Sequence, residues 1–157
     1  MSVAGTIQFT TSQARDIAGV SPEVWRHWRM NIPFLGAKKG KAARFSAGEI
    51  VVLCAVRNAI DDYGVKVTIL SNSFNQIFKA SKSMSPNDLK DCSFVISSRS
   101  GEVVKSSCIN LSNQAVIVMP CDMIVEQVWN ATFHSSKSEN KINNPFTPKL
   151  VSGVSSS

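Results

Sequence analysis

The side chains whose chemical type and spacing most clearly indicate a function are the lysines and arginines of residues 24–48. This stretch contains no aspartate or glutamate and carries six cations: Arg26, Arg29, Lys38, Lys39, Lys41 and Arg44. Positive side chains this close together, with no acid between them, attract phosphate groups. The whole chain also favours an anionic partner, because 17 Lys and Arg outnumber 11 Asp and Glu. We therefore expect this segment to bind nucleic acid.

The residue sets that enzymes use are missing from the sequence. There is no glycine-rich phosphate loop and no set of His, Cys and carboxylate residues at metal-ligand spacing. A serine or cysteine nucleophile would need a neighbouring base, and the two histidines, His27 and His134, are far apart. We expect no catalytic residues, no metal and no cofactor.

The four cysteines have two interpretations. They are Cys54, Cys92, Cys108 and Cys121. Their spacing is too wide for a zinc clamp or a redox dithiol, and their neighbours are apolar. We expect buried thiols in a reducing cytosol. The alternative is a thiol or metal sensor built from the last three cysteines, if the fold brings them together.

Capping residues predict two short helices before the lysine-rich part of the basic segment. Gly19 is placed to end the first helix in a left-handed turn. Ser21 caps the second helix. We expect Val24, Trp25 and Trp28 to form the apolar side of this second helix. The two tryptophans could instead stack on single-stranded bases, but their helical spacing favours the core.

The basic residues that follow predict a hairpin and then a long helix. Residues 34–45 have apolar ends around a glycine-containing cationic centre, which is the pattern of a short hairpin with a flexible tip. Ser46 and Glu49 then form the signature of a capping box. The helix that they open is expected to run to about Asp62, with one more amphipathic helix after it.

In the second half of the chain, the pattern of apolar residues changes from a helical spacing to short β-branched segments. Residues 81–91 are polar and predict a turn or linker. Four short β-branched segments, residues 93–97, 102–105, 108–111 and 115–119, predict an antiparallel meander. Pro120 is expected to open a last helix, whose apolar side comprises Ile124, Val125, Val128, Trp129 and Phe133.

Three pieces of the sequence resemble a known DNA-binding family. They are Val20-Ser21-Pro22-Glu23-Val24-Trp25-Arg26-His27-Trp28, then Ile32-Pro33, then Ala43-Arg44-Phe45-Ser46. Together they resemble the DNA-binding head of the MerR family over about residues 7–66. Excisionases and the small subunits of phage DNA-packaging enzymes have a similar head. The resemblance implies a winged helix-turn-helix that binds DNA.

The fold class expected from these observations is α+β. An N-terminal winged helix-turn-helix domain, residues 1–82, precedes a small meander with a C-terminal helix, residues 83–134. Residues 135–157 are polar and rich in Ser and Asn, which predicts a disordered tail.

We expect the second helix to enter the major groove of DNA and the lysine-rich wing to follow the backbone or the minor groove. The candidate DNA-binding residues are Ser21, Glu23, Arg26, His27, Arg29, Lys38, Lys39, Lys41 and Arg44. The sequence does not decide whether Arg26 contacts a guanine or a phosphate.

Three functions fit this interpretation. The first is a sequence-specific transcription regulator that acts as a homodimer on double-stranded DNA. The second is an architectural protein, similar to excisionases or packaging small subunits, that bends or gathers DNA. In the third, residues 92–134 bind another protein or a small effector while the head contacts DNA.

The expected location is the cytoplasm, in association with the nucleoid. The longest apolar run, residues 50–56, is too short to cross a bilayer, and residues 1–5 lack the features of a secretory signal. We therefore expect no membrane partner.

Overall fold

The computed structural model describes residues 7–111 and 114–135, and these residues form an α+β protein, as predicted. The helices in this part of the chain are α1 (Thr11–Ala18), α2 (Pro22–Asn31), α3 (Pro33–Gly36), α4 (Ala47–Tyr63), α5 (Val67–Ser81), α6 (Pro86–Leu89) and α7 (Cys121–Ser135). The strands are β1 (Gln8–Thr10), β2 (Arg44–Ser46), β3 (Cys92–Ile96), β4 (Gly101–Lys105) and β5 (Ile117–Pro120).

The first helix ends at Gly19 and the second begins after Ser21, as predicted. The Thr10 side chain accepts a hydrogen bond from the Gln13 backbone N–H at the start of α1. Gly19 ends this helix with φ 68°, a conformation that glycine adopts without steric strain. Ser21 caps α2 by accepting a hydrogen bond from the backbone N–H of Val24. These local interactions fix the turn between the two helices.

Helix α4 is the central element of the core. Its predicted capping box is present, with Ser46 and Glu49 each accepting a hydrogen bond from the other's backbone N–H. Gly64 ends the helix with φ 64°. Residues 47–56 are buried without a break, because α4 packs against α1, α5 and α7. The sequence predicted one apolar face, whereas the first half of this helix is enclosed on all sides.

The hairpin predicted for residues 34–45 is wrong. Pro33 starts the short helix α3 instead of leading into a strand, and Leu35 in that helix is fully buried. Strand β2 pairs antiparallel with β1, so that Phe45 lies opposite Phe9. Phe45 therefore finds its apolar partner near the start of the described chain and not across a hairpin. Residues 37–43, which we call the basic loop, connect α3 to β2.

The predicted linker at residues 81–91 also contains a helix. Ser85 and Asp88 form a capping box that opens α6, with Pro86 at the first helical position. Leu89 at the end of α6 is fully buried, which gives this single turn an apolar anchor.

The predicted meander is wrong in its strand order. The second sheet has the order β4-β3-β5, with both neighbours antiparallel to β3, whereas a meander would place β4 in the middle. Strand β3 is the most buried of the three strands, which explains its central position. The segment predicted as a strand at residues 108–111 is not one: a 3-10 turn at Ser106–Cys108 precedes irregular chain.

The apolar faces predicted for α5 and α7 are buried. In α5 they comprise Val67, Leu70, Phe74, Ile77 and Phe78. In α7, Ile124, Val125 and Val128 are buried and Trp129 is half-buried, while the Phe133 side chain lies outside the described residues.

Buried residues from both sides of residue 82 form one cluster, which runs from Phe9 to Val128. The division into two domains at residues 82 and 83 stays a prediction. The tail predicted to be disordered falls, from residue 136 onward, outside the described residues. None of the helices in the described part is long and apolar enough to cross a bilayer.

Candidate nucleic-acid interface

Helix α2 presents a polar outer face. Glu23, Arg26 and His27 are exposed. Trp25 and Trp28 are only 6 % and 2 % exposed, so both belong to the core as predicted and neither is available for stacking on bases. Val24 was expected on the apolar side of α2, but it is 43 % exposed because it lies at the edge of the buried stripe. The exposed polar side chains of α2 are therefore not needed to hold the helix in place.

Ser21 and His27 are both held by local contacts. The Ser21 hydroxyl oxygen lies 3.3 Å from the Val24 nitrogen that it caps. The Asn31 side-chain amide donates to the His27 carbonyl at 2.8 Å and lies 3.5 Å from the Nδ1 atom of His27. The Ser21 side chain therefore lies at the exposed N-terminal end of α2, and the His27 ring lies on the outer face of the helix.

The basic loop begins and ends beside α2. Gly36, just before the loop, packs against the Arg29 carbonyl so closely that a Cβ atom there would lie 2.9 Å from that oxygen. Phe45, just after the loop, contacts Trp25 edge to face with 5.6 Å between the ring centroids. The basic loop is therefore anchored to α2 at both of its ends.

Lys38 holds the basic loop to the core. Its ammonium group pairs with the Glu49 carboxylate at 2.8 Å and donates to the backbone carbonyl of Arg44. It also lies 5.3 Å from the ring centroid of Phe34 and 4.8 Å from that of Phe45. The Lys38 side chain is 21 % exposed and that of Glu49 is 6 % exposed. A carboxylate buried to this degree requires a compensating cation, and Lys38 supplies it.

Arg44 folds back onto the loop that precedes it. Its Nη1 atom donates to the carbonyl of Lys41 at 2.7 Å and to that of Ala43 at 2.9 Å. Gly40 allows the turn, because its φ of 75° is left-handed and strains residues that carry a Cβ. Arg44 is exposed, but its guanidinium is engaged in shaping the loop.

The other cations of residues 24–48 do not form the kind of side-chain bonds with described residues that hold Lys38 and Arg44. Arg26, Lys39 and Lys41 are exposed, and none of them forms a side-chain hydrogen bond or ion pair with the residues that the structure describes. Arg29 is half-buried, and its Nε atom has no hydrogen-bond partner within the described ranges. Of the six cations, Lys38 is the one paired with a described carboxylate. The segment therefore keeps most of its positive charge uncompensated.

Two further lysines, which were not among the candidates from the sequence, lie near the basic loop. A cavity of about 830 Å³ is bounded on one side by Lys38 and Arg44 and on the other by Lys79 and Lys82 of the C-terminal end of α5. These lysines are about 40 residues away from the loop in the sequence, outside the acid-free stretch. A single sequence has no signal that would join them to it.

Three of the four cysteines are buried as expected, and Cys108 is exposed. Burial raises the pKa of the Cys54 and Cys121 thiols to about 12. The expectation of a buried thiol is wrong for Cys108, because it lies in the exposed 3-10 turn and not in a strand. Within residues 7–111 and 114–135, no three His, Cys, Asp or Glu side chains are grouped to hold a metal.

The described residues thus bring together an exposed helix face and a neighbouring loop with two free lysines. This arrangement offers hydrogen-bond donors and positive charge on adjacent elements, which suits an extended anionic partner. The chain matches no protein-family model, no curated protein and no solved structure.

Proposed function

We propose that this protein is a sequence-specific transcription regulator that binds double-stranded DNA through a winged helix-turn-helix. Helices α1 and α2 with their short turn are the helix-turn-helix, and the basic loop serves as the wing. The proposal rests on one observation: Arg26, Lys39 and Lys41 are exposed and unpaired on two elements that are fixed to each other.

In this proposal α2 enters the major groove. Arg26 donates to the acceptor atoms of a guanine or to a phosphate, and Glu23 accepts from a cytosine amino group. The Ser21 hydroxyl donates to a phosphate at the N-terminal end of the helix, where the helix dipole also favours an anion. His27 and Arg29 contact the backbone on either side.

The cations of the wing divide into two groups. Lys39 and Lys41 contact phosphates or the adjacent minor groove. Lys38 and Arg44 hold the loop in shape through Glu49 and the loop carbonyls, so that their contribution to binding is indirect. Of the four wing residues among the nine candidate DNA-binding residues, two are therefore proposed to contact DNA directly.

A second copy of the chain completes the proposed complex. One helix and one wing cover few base pairs, and a homodimer on two half-sites raises both affinity and specificity. Within residues 92–134, we place the dimer contact, or a contact with a partner or effector, on helix α7. Met123 of α7 offers an exposed apolar side chain for it, at 70 % exposure.

Selection of bound sequences from a pool of random duplexes, followed by footprinting, tests the proposal. We expect enrichment of one motif and protection of paired half-sites. Clustered tandem sites with strong DNA bending would instead support the architectural alternative. If the protein retains no duplex at 50 mM salt, the proposal is wrong. A Lys90→Gln/Lys105→Gln variant is the charge-matched control, because both lysines are exposed and lie outside the proposed interface.

A further inference from the structure

The cavity next to the basic loop is lined by more positive than negative side chains. Its charged lining residues are Lys38, Arg44, Glu49, Lys79 and Lys82. The single carboxylate is already paired with Lys38, which leaves Arg44 and both lysines of α5 as an uncompensated positive surface. The Lys79 and Lys82 side chains are exposed and form no hydrogen bond or ion pair with described residues. Such a surface fits an anionic ligand.

The walls of the cavity are fixed to each other. The Phe34 backbone N–H donates to the buried Asn75 Oδ1 atom at 2.7 Å, which ties α3 to α5. The Phe34 ring stacks on Phe78, with 5.1 Å between centroids and 9° between planes. Lys79 and Lys82 are three residues apart at the end of α5 and so face the same side of the helix. Their position relative to the wing is therefore set by the core.

We infer that this cavity is a second phosphate-binding surface of the protein, on which Lys79 and Lys82 contact the DNA backbone beyond the wing. The inference rests on the proposed function. An extended polyanion is favoured as the ligand because Lys38 of the basic loop, and Arg44 directly after the loop, also line the cavity. The two positive surfaces are thus continuous. A duplex whose backbone passes the wing can bring further phosphates to α5.

The test is the salt dependence of binding to the selected duplex by a Lys79→Gln/Lys82→Gln variant. Each phosphate contact contributes about 0.9 to the slope of log K against log salt. We expect the variant to lose about 1.8 from the magnitude of that slope for each bound protomer, about 3.6 for the proposed homodimer, while selecting the same sequence. We also expect ethylation of phosphates at one flank of each half-site to block the wild type but no longer to affect the variant.

The matched control is Lys90→Gln/Lys105→Gln, which removes the same two charges from the total of +6 at exposed positions outside the cavity. If the two variants have the same slope while a Lys39→Gln/Lys41→Gln variant loses affinity, the inference is wrong and the proposed function stands. If the wild type binds no duplex at all, both are wrong. Equal melting temperatures of the variants establish that lost affinity is not lost folding.

Discussion

Helix α2 and the basic loop carry the same kind of charge side by side, but they differ in how they are held. Helix α2 is fixed by its Ser21 cap and by two buried tryptophans, so its cations are free to project outward. The loop has no regular hydrogen-bond ladder, and its shape is held by two cations: Lys38 within the loop and Arg44 directly after it.

The number of cations in a basic segment therefore overstates the charge that is available to a ligand. In the helix, the exposed cations do not hold the structure, because removing Arg26 takes away no contact that the fold uses. In the loop, neighbouring lysines have different roles: Lys38 holds the loop to the core, whereas Lys39 is free to bind a ligand. Substitutions in the two regions should therefore have different signatures.

The largest effect is expected from Lys38→Met. This change keeps a flexible side chain of similar length beside the Phe34 and Phe45 rings but leaves the buried Glu49 carboxylate without its cation. We expect a loss of about 3 kcal/mol in the free energy of unfolding, at the low end for a broken buried pair because Lys38 is partly exposed. Urea denaturation measures it.

The double variant Lys38→Met/Glu49→Gln sharpens this prediction. The glutamine is neutral and still accepts a hydrogen bond from the Ser46 N–H, so that the capping box survives. It should recover most of the lost stability. If Lys38→Met alone is as stable as the wild type, the ion pair does not hold the loop.

Arg26→Ala should have the next largest effect, on DNA binding alone. We expect a 10- to 100-fold weaker affinity for the selected duplex, about 1.4–2.8 kcal/mol, with relaxed preference at one position if Arg26 contacts a base. Fluorescence anisotropy with wild-type and altered duplexes measures both. Arg99→Ala is the control, since Arg99 is an exposed arginine outside the interface. Equal losses in the two variants would show that only net charge matters.

Lys39→Gln/Lys41→Gln should weaken binding to all duplexes by a similar factor. Because both side chains are free, the free energy of unfolding should stay within about 0.5 kcal/mol of the wild type. The slope of log K against log salt should fall in magnitude by about 1.8 for each bound protomer. A destabilised variant would contradict the division of the loop cations that we describe.

The smallest effect is expected from Gly40→Ala, which changes the loop and not the helix. The space around Gly40 is open, so the added methyl group meets only the strain of a left-handed residue. We expect about 1 kcal/mol of destabilisation, measured by thermal unfolding. Gly40→Asn should be milder because asparagine tolerates this conformation better. Equal melting temperatures for the alanine variant and the wild type would show that the loop is not held in this shape.

The helix boundaries could be predicted because their signals are local. The Ser21, Ser46 and Glu49 side chains accept hydrogen bonds from backbone groups three residues away, and Gly19 ends α1 through its own left-handed backbone conformation. The amphipathic face of α5 was predicted for a similar reason: its apolar residues recur with the helical period.

What the sequence did not predict depends on contacts between distant residues. The partner of β2 is β1, about 35 residues earlier, and a strand as short as β1 leaves no pattern of its own. The inward position of Lys38 depends on Glu49, which the sequence had explained fully as a capping residue. The sheet order depends on which strand is covered on both faces, and the similar strand sequences did not indicate that.

The measurement that tests the central claim most directly is the affinity of the wild-type protein for double-stranded DNA as a function of salt. If α2 and the basic loop contact the backbone, log K should fall linearly with log salt between 50 and 200 mM, with a slope of about −2 or steeper for each bound protomer. This slope corresponds to at least two phosphate contacts per protomer, by Lys39, Lys41 and their neighbours. No binding at 50 mM salt, or a slope near zero, would contradict the account.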